Sequence, residues 1–167
     1  MKRVLIINNM QVQQKINRIA YQILEDNFEE QEIIIAGVWA RGFRLALRLK
    51  TILEQISAIK ITVASISLNK EIPYDDYGAD ISNIDFENKV IVLVDDVLNS
   101  GHTMALGVGV FLKSPLKKLR TAVLVDRSHK RYPIATDFVG LELSTVLKEH
   151  VQVVLDENNE VDSVYLI

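Results

Sequence analysis

The stretch from residue 90 to residue 103 constrains the fold more than any other part of this sequence. An unbroken apolar run, Val90 to Val94, ends in Asp95 and Asp96 and leads into a small, polar segment at residues 99–103. A short β-branched run without polar alternation is typical of a strand buried on both faces of a parallel sheet. Two adjacent carboxylates at the end of such a strand are costly to bury unless they meet a ligand. The stretch therefore predicts a parallel sheet with a ligand site where this strand ends.

The rest of the chain alternates between helical and strand patterns. Apolar residues at helical spacing predict helices, and short apolar runs predict strands. In chain order these are a helix at 11–27, a strand at 33–38, a helix at 43–56, a strand at 60–66, the strand from 90, a helix at 102–112 and a strand at 119–125. This alternation predicts an α/β fold, with a mostly parallel, twisted sheet flanked by helices. In such sheets, ligands bind beyond the carboxyl ends of the strands.

Two segments depart from this alternation. Residues 69–83 include Pro73, Gly78 and a cluster of acids and tyrosines, which predicts a loop or a short hairpin. Residues 151–155 and 161–167 flank a polar stretch, and this pattern predicts a β-hairpin that closes the edge of the sheet.

The composition limits the class of protein. A length of 167 residues suits one domain that spans the whole chain, and 49% hydrophobic residues supply a substantial core. No apolar run approaches the ~20 residues of a membrane span, and the apolar part of the amino terminus is shorter than a signal peptide requires. The absence of cysteine excludes disulfides and a thiol nucleophile. These features predict a soluble, cytoplasmic protein that does not bind membranes.

The residues after the apolar run have the chemistry of a sugar-phosphate site. Asp95 and Asp96 can accept hydrogen bonds from vicinal hydroxyls, or hold a magnesium ion directly or through its waters. Glycine at position 101 allows a positive φ angle and a close approach of the backbone to a phosphate at a helix start. Hydroxyls and an imidazole add further donors. The candidate binding residues of this loop are Val97, Leu98, Asn99, Ser100, Gly101, His102 and Thr103.

Ala40, Arg41 and Gly42 form a second candidate anion site. They follow one predicted strand and precede a helix, so they belong at the same rim as Asp95. The forked guanidinium of Arg41 suits phosphate oxygens, and glycine at position 42 lets the backbone approach a ligand. The alternative is an ordinary helix start with a solvated arginine.

These motifs resemble those of a known family. Residues 91–103 are similar to the phosphoribosyl-diphosphate signature of the type I phosphoribosyltransferases. Residues 122–134 and 137–140 resemble the bifunctional pyrimidine-operon attenuator and uracil phosphoribosyltransferase family. Further similarity lies at residues 18–20, 40–42 and 78–81, so the resemblance covers most of the chain.

The resemblance implies the type I phosphoribosyltransferase fold with a C-terminal hood. It also implies magnesium-dependent transfer of a phosphoribosyl group from 5-phosphoribosyl 1-diphosphate to a nucleobase, with uracil as the first candidate. Asp95 and Asp96 are expected to bind the ribose and the magnesium ion, and Arg41 is expected to bind the diphosphate. These three are therefore the predicted catalytic residues. Residues 69–83 are expected to form a lid, and the family generally forms homo-oligomers.

The resemblance places the base pocket in the carboxy-terminal third. Phe138 and Val139 are expected to form a hood that stacks on the base and contacts its edge through backbone groups. Asp126 and Arg127, at the end of the strand predicted at 119–125, are expected to face the same opening. The alternative for Phe138 is a residue of a core strand.

The chain also departs from the family pattern. The family has a hydroxyl residue where Ala40 stands, and it favours an aromatic residue and an arginine where Asn99 and His102 stand. The segment 69–83 matches the family's lid poorly. Altered affinity for the diphosphate or the phosphate is the expected consequence.

The main alternative is an RNA-binding transcription attenuator that keeps a nucleotide-sensing site with weak or no catalysis, because the resembled family does both jobs. RNA binding needs a basic face, since phosphate neutralisation supplies much of the affinity. The net charge of −3 disfavours such a face. The cations available for a local basic patch are Lys113, Lys117, Lys118, Arg120, Lys130 and Arg131.

Two other classes fit less well. A phosphoacceptor receiver domain also has an acidic pair at a strand end, but that pair normally lies near the start of its domain. Here Asp96 lies past the middle of the chain. A metal-dependent hydrolase needs ligand spacing that His102, His129 and His150 do not show.

Overall fold

A computed structural model describes residues 3–68, 81, 83–144, 149–155 and 161–167. The predicted lid at 69–83 therefore lies mostly outside the described residues, which leave out 69–80 and 82. The elements are, in chain order, β1 (Val4–Ile7), α1 (Asn9–Asp26), β2 (Glu32–Val38), α2 (Arg41–Ile56), β3 (Lys60–Ile66), β4 (Val90–Leu98), α3 (His102–Phe111), β5 (Lys118–Asp126), β6 (Phe138–Glu142), β7 (Val151–Val154) and β8 (Ser163–Leu166).

The main sheet has five strands in the order β3-β2-β4-β5-β6. Every neighbouring pair is parallel, so all five carboxyl ends lie along one edge. Parallel neighbours need a crossover connection, which α2 supplies between β2 and β3 and α3 between β4 and β5. The parallel α/β sheet predicted from the sequence is confirmed, and β4 with its two carboxylates is its central strand.

β4 is apolar over most of its length because both of its faces are covered. Val90, Val92 and Val94 pack into a core that includes side chains of α1 and α2, whereas Ile91 and Leu93 pack into a second core with α3. Burying one such side chain stabilises the fold by roughly 1.5–3 kcal/mol. Two packed cores therefore set the position of the carboxylates that follow Val94.

The helices follow the predicted apolar patterns. Val12, Ile16 and Ile19 of α1 are fully buried at spacings of four and three residues. Asn8 caps this helix, because its side chain accepts a hydrogen bond from the Gln11 N–H while the Gln11 side chain accepts one from the Asn8 N–H. This capping box starts the helix two residues before the predicted residue 11. Within the described residues, no helix is both long and apolar enough to cross a membrane.

A second sheet forms from the two ends of the chain. β8 lies between β1 and β7 and pairs antiparallel with both. The predicted hairpin is therefore present, but it lies in this separate three-stranded sheet and does not extend the edge of the parallel sheet. β1 was not predicted from the sequence, because its four residues pair with a strand from the opposite end of the chain.

Ion pairs line the amino-terminal edge of the main sheet, opposite the expected ligand site. Glu32, at the start of β2, lies 2.9 Å from Lys60 Nζ and 2.7 Å from Lys89 Nζ. Hydrogen bonds from Lys89 and Lys60 lower the pKa of Glu32 to about 2. A cleft of about 550 Å³ lies at this edge, and these three side chains line it. The charges here contact one another and join β2, β3 and the start of β4.

Replacing Glu32 by glutamine should make the fold less sensitive to acid. Because the pKa of Glu32 is lowered in the folded state, its carboxylate stabilises the fold fully above the ordinary value of 4.5, and this stability is lost as the pH falls towards about 2. Urea denaturation between pH 5 and about pH 2 should therefore show a shallower loss of stability for Glu32→Gln than for the unchanged protein. Glu54→Gln, which changes an exposed carboxylate of α2, is the matched control. Equal pH dependence in Glu32→Gln and the unchanged protein would contradict this account.

Candidate functional site

The carboxyl edge of the main sheet brings the predicted segments together. A cleft of about 440 Å³ opens between the start of α2, the end of β4 and the start of α3. A smaller cleft of about 80 Å³ runs along the loop that leads into α3. Asp95 and Thr103 line both clefts, so the two form one site. The larger cleft is lined by Val38, Trp39, Ala40, Arg41, Leu68, Asp95, Asp96 and Thr103.

Close packing fixes the start of α2 against β4. A Cβ atom on Gly42 would lie 2.6 Å from the carbonyl oxygen of Val94 and 2.9 Å from Cα of Asp95. A Cβ atom on Gly37 of β2 would likewise overlap Cα of Phe43 in α2. The sequence predicts that glycine at position 42 lets the backbone approach a ligand. In the structure, glycine is needed at this position because α2 packs directly against β4.

Arg41 contacts one of the two carboxylates. Its Nη1 atom lies 3.2 Å from Oδ2 of Asp96, and the side chains are 43% and 14% exposed, respectively. The guanidinium therefore stands at the surface of the larger cleft and offsets part of its negative charge. This ion pair joins the two sites that the sequence predicted separately, the acidic strand end and the anion site at the start of α2.

Asp95 is held in a less favourable environment. Burial raises the pKa of Asp95 well above its ordinary value, repulsion from Asp96 adds to the rise, and the Arg41 guanidinium opposes it. The Oδ1 atom of Asp95 accepts a hydrogen bond from the Asp96 N–H at 2.9 Å, which orients the carboxyl group. A cation or a pair of hydroxyl donors in the cleft would relieve the repulsion between the two carboxylates.

The loop into α3 has the form of an anion-binding loop. Gly101 is the N-cap residue of α3, and its φ angle of 83° is in the left-handed region that glycine adopts readily. The Ser100 hydroxyl accepts a hydrogen bond from the His102 N–H at 3.3 Å. The N-terminus of a helix favours negative charge, because backbone N–H groups of its first turn point outward. All of the predicted loop residues line the smaller cleft, namely Val97, Leu98, Asn99, Ser100, Gly101, His102 and Thr103.

The connection between β5 and β6 holds this loop in place, a contact that the sequence pattern does not reveal. The Ser100 carbonyl accepts hydrogen bonds from the Arg131 N–H at 2.8 Å and the Tyr132 N–H at 3.1 Å. The Tyr132 ring stacks on the imidazole of His102, with 4.8 Å between ring centres and 23° between ring planes. The only sequence signal for this contact is an aromatic residue, Tyr132, in the mostly polar β5–β6 connection. The sequence does not show that its ring covers His102.

Asp126 reaches the carboxyl edge but does not face the clefts. It is level with Leu98 in the pairing of β5 with β4, and it is 4% exposed. Its carboxylate accepts a hydrogen bond from the Ser128 N–H at 2.8 Å and lies 3.0 Å from Nζ of Lys130. This corrects the expectation that Asp126 faces the opening, because its oxygens are used within the β5–β6 connection.

Arg127 is also buried, at 4% exposure, and it acts on the site through another residue. Its Nη1 donates to the side-chain oxygen of Asn99 at 3.0 Å, and its Nη2 donates to the carbonyl of Glu149. The expectation that Arg127 faces the opening is therefore corrected as well. The structure shows instead that Arg127 joins the predicted phosphate loop to the chain that follows β6.

Phe138 and Val139 are the first two residues of β6 and do not lie at its carboxyl end. β6 pairs with β5 so that Phe138 is level with Ala122, which is itself level with Val94 in the interior of the sheet. Phe138 belongs to the hydrophobic core, and the Val139 carbonyl accepts a hydrogen bond from Arg18 at 2.8 Å. The expected hood is therefore misplaced, and the core alternative for Phe138 is confirmed. β6 reaches the rim four residues later, where it ends at residue 142.

The donor set of the larger cleft suits a magnesium ion that is shared with a substrate. The described part of the chain contains no group of three or more His, Cys, Asp or Glu side chains that could hold a metal. Magnesium takes oxygen ligands and keeps several waters, so the two carboxylates of Asp95 and Asp96 fit an ion completed by water and substrate oxygens. Burial and then repulsion from Asp96 raise the pKa of Asp95, and a cation at this place would relieve that repulsion.

Comparison with known proteins identifies the family. The family model described as a phosphoribosyl transferase domain matches residues 5–158. "Bifunctional protein PyrR" of Leuconostoc citreum is 34% identical, with 97% of each chain covered. The protein of the same name from Macrococcus caseolyticus is 30% identical, with 99% of each chain covered.

Solved structures agree on the fold. The hypoxanthine phosphoribosyltransferase of Trypanosoma cruzi matches with a TM-score of 0.80 at 15% identity, covering 98% of this chain and 95% of the other. A hypoxanthine-guanine phosphoribosyltransferase of Bacillus anthracis matches with a TM-score of 0.77 at 19% identity, covering 97% and 96%. The strand order, the acidic end of β4 and these similarities lead to one assignment: the chain belongs to the type I phosphoribosyltransferases and, among them, to the family of the bifunctional PyrR proteins.

Proposed function

We propose that this protein transfers a phosphoribosyl group from 5-phosphoribosyl 1-diphosphate to a nucleobase in the presence of magnesium. One observation carries the proposal: the carboxylates of Asp95 and Asp96, the Arg41 guanidinium and the loop capped by Gly101 line one continuous site. Groups that can bind a cation, a pair of hydroxyls and a phosphate thus lie in one site, as binding of a sugar phosphate requires. Assembly into a homo-oligomer and a cytoplasmic location stay part of the proposal.

Each part of the substrate has a matching group in the site. The 5′-phosphate suits the smaller cleft, where the start of α3 and the Ser100–Thr103 loop supply donors. The ribose hydroxyls suit the carboxylates of Asp95 and Asp96, which accept hydrogen bonds. The diphosphate suits the larger cleft beside Arg41, because a guanidinium binds phosphate oxygens through paired N–H groups.

The reaction proposed is a substitution at C1 of the ribose. A nitrogen atom of the base forms a bond to C1, the bond from C1 to the diphosphate oxygen breaks, the diphosphate leaves with that electron pair, and the nitrogen proton passes to solvent. Asp95 and Asp96 stabilise the positive charge that develops on the ribose, and Arg41 stabilises the charge on the leaving group. Bound magnesium would neutralise diphosphate oxygens and make the diphosphate a better leaving group. Positioning supplies much of the remaining acceleration.

Uracil is the base we propose. Its support is the resemblance to the attenuator and uracil phosphoribosyltransferase family, together with 30–34% identity to PyrR proteins over nearly the whole chain. The solved neighbours carry the names of purine enzymes, but at 15% and 19% identity they support the fold and not the choice of base.

The proposal is tested by turnover of 5-phosphoribosyl 1-diphosphate with magnesium and a panel of uracil, hypoxanthine, guanine, xanthine, adenine and orotate. Diphosphate release and nucleotide formation are followed together, and nucleotide is expected with uracil. A product with a purine alone would overturn the choice of base and leave the reaction class standing. No product with any base, together with no calorimetric binding of the diphosphate substrate, would overturn the proposal as a whole.

In the same assay, Asp96→Asn should lower kcat/KM by about 10²–10³, the usual effect of removing one group that stabilises the transition state. The fold should be retained, because Asp96 borders the cleft and lies outside the two hydrophobic cores. Glu54→Gln on α2 makes the same charge change on an exposed side chain and should keep the activity of the unchanged protein. Full activity in a folded Asp96→Asn protein would rule out the assigned role.

Asp95→Asn should lower activity and raise stability. Because the pKa of Asp95 is raised in the folded state, its ionisation destabilises the fold as the pH rises above the ordinary value of 3.8. Asparagine keeps an oxygen for the Asp96 N–H and removes the charge. We therefore expect a higher Tm for Asp95→Asn than for the unchanged protein at pH 7. The rise should be smaller near pH 4, and an equal rise at both pH values would contradict the electrostatic cause.

The second candidate function, RNA binding, is disfavoured by the partners of the basic residues. Four of the six cations available for a basic patch contact carboxylates at 2.8–3.0 Å. Paired cations release few counterions from RNA, so they contribute little affinity. The pairs are Lys117 with Glu30, Lys118 and Arg120 with Asp26, and Lys130 with Asp126.

Removing two of these acids should expose basic side chains that are paired with carboxylates in the described part of the chain. The double variant Asp26→Asn, Glu30→Gln removes the carboxylates that contact Lys117 and Lys118, whereas Arg120 keeps its contact with Asp137 at 3.6 Å. Fluorescence anisotropy with a labelled single-stranded RNA should show weak binding by the unchanged protein. The double variant should bind more tightly, with a salt slope steeper by about 1.4, since two released cations each contribute ~0.7 on single strands. Tight RNA binding by the unchanged protein would favour the attenuator function instead.

A further inference from the structure

The β5–β6 connection packs directly against the turn that forms the predicted phosphate loop. The Ser100 carbonyl accepts hydrogen bonds from the N–H groups of both Arg131 and Tyr132. On the next residue, a Cβ atom at Gly101 would lie 3.3 Å from the Tyr132 carbonyl oxygen and 3.5 Å from Tyr132 Cβ. The backbone of residue 132 is therefore held at a fixed distance from the loop.

The side chain of Tyr132 contacts the one loop residue with an ionisable side chain. Its ring stacks on the imidazole of His102, with 4.8 Å between ring centres and 23° between ring planes. His102 is partly buried and lines the smaller cleft. Tyr132 is 41% exposed and lines neither the smaller nor the larger cleft. Tyr132 thus touches the ring of His102 from outside the site.

We propose that Tyr132 is a positioning residue that holds the His102 imidazole in place to donate a hydrogen bond to the 5′-phosphate of the sugar substrate. The proposal rests on the proposed function, because that function supplies the phosphate. An imidazole at the start of a helix can take several side-chain rotamers, and stacking restricts them before the ligand arrives.

This role differs from simple packing in what it predicts. An exposed aromatic side chain outside both cores adds little to the stability of the sheet. If Tyr132 only packed, its loss would change stability and leave affinity for the phosphate group unaltered. If it positions His102, its loss changes affinity for the phosphate group and has no effect once the imidazole is absent.

The experiment measures binding of ribose 5-phosphate, which carries the 5′-phosphate without the diphosphate, by calorimetry. Tyr132→Leu should weaken binding about fivefold, the ratio expected from losing one stacked aromatic pair. Tyr132→Phe keeps the ring and should bind like the unchanged protein. KM for 5-phosphoribosyl 1-diphosphate should rise by the same factor in Tyr132→Leu, with kcat changed less than about twofold, because uniform binding is lost. Affinity for inorganic diphosphate, whose expected contact is Arg41, should stay unchanged and reports an intact site.

A double-mutant cycle separates positioning from packing. His102→Ala should weaken ribose 5-phosphate binding at least as much as Tyr132→Leu, and the double variant should match His102→Ala alone. The proposal would be overturned if the two single variants weaken binding by factors that multiply in the double variant. Unchanged binding in either single variant would also overturn it. If Tyr132→Leu does not fold, His102→Ala decides, since unchanged binding in that variant also overturns it. Failure of the unchanged protein to bind 5-phosphoribosyl 1-diphosphate would instead overturn the proposed function on which this inference rests.

Discussion

The first turn of α2 lies so close to the end of β4 that no side chain fits between them at position 42. A Cβ atom there would lie 2.6 Å from the Val94 carbonyl oxygen, so only glycine allows the contact. This approach brings the neighbouring residue, Arg41, to 3.2 Å from Asp96. A larger residue would push the helix away and separate the cation from the carboxylates. The charge balance of the whole site therefore depends on a backbone contact in the interior.

A second contact sets the other half of the site. β5 lies beside β4, and the chain that leaves β5 returns over the loop that leaves β4, where Ser100 accepts two backbone N–H groups. Arg127 adds a buried side-chain bond to Asn99 in the same loop. Arg127, Arg131 and Tyr132, which do not line the two clefts, thus determine the shape of the loop at residues 97–103, which does. In a parallel sheet this follows from strand order, because neighbouring strands end at the same edge.

The sequence predicted the parallel sheet well because its signals are local. An apolar run, an acidic strand end and a glycine-containing loop are adjacent in the chain, and all three lie where expected. The errors concern features that depend on distant partners. β1 was missed because it pairs with β8, and the hood was misplaced because the register of β6 against β5 puts Phe138 level with Ala122. Burial of Arg127 also depends on partners in other segments that no spacing reveals, because its guanidinium donates to Asn99 and to the Glu149 carbonyl.

The two edges of the sheet use carboxylates in opposite ways. At the amino edge, Glu32 contacts two lysines, and hydrogen bonds from them lower its pKa, so its charge stabilises the fold. At the carboxyl edge, Asp95 and Asp96 lie side by side, and burial with mutual repulsion raises the pKa of Asp95. The contact of Arg41 with Asp96 at 3.2 Å offsets this repulsion only in part. A folded protein tolerates such a cost where a ligand removes it, because binding to the folded state alone stabilises that state. The same residue type is therefore structural at one edge and poised for a cation or a sugar at the other.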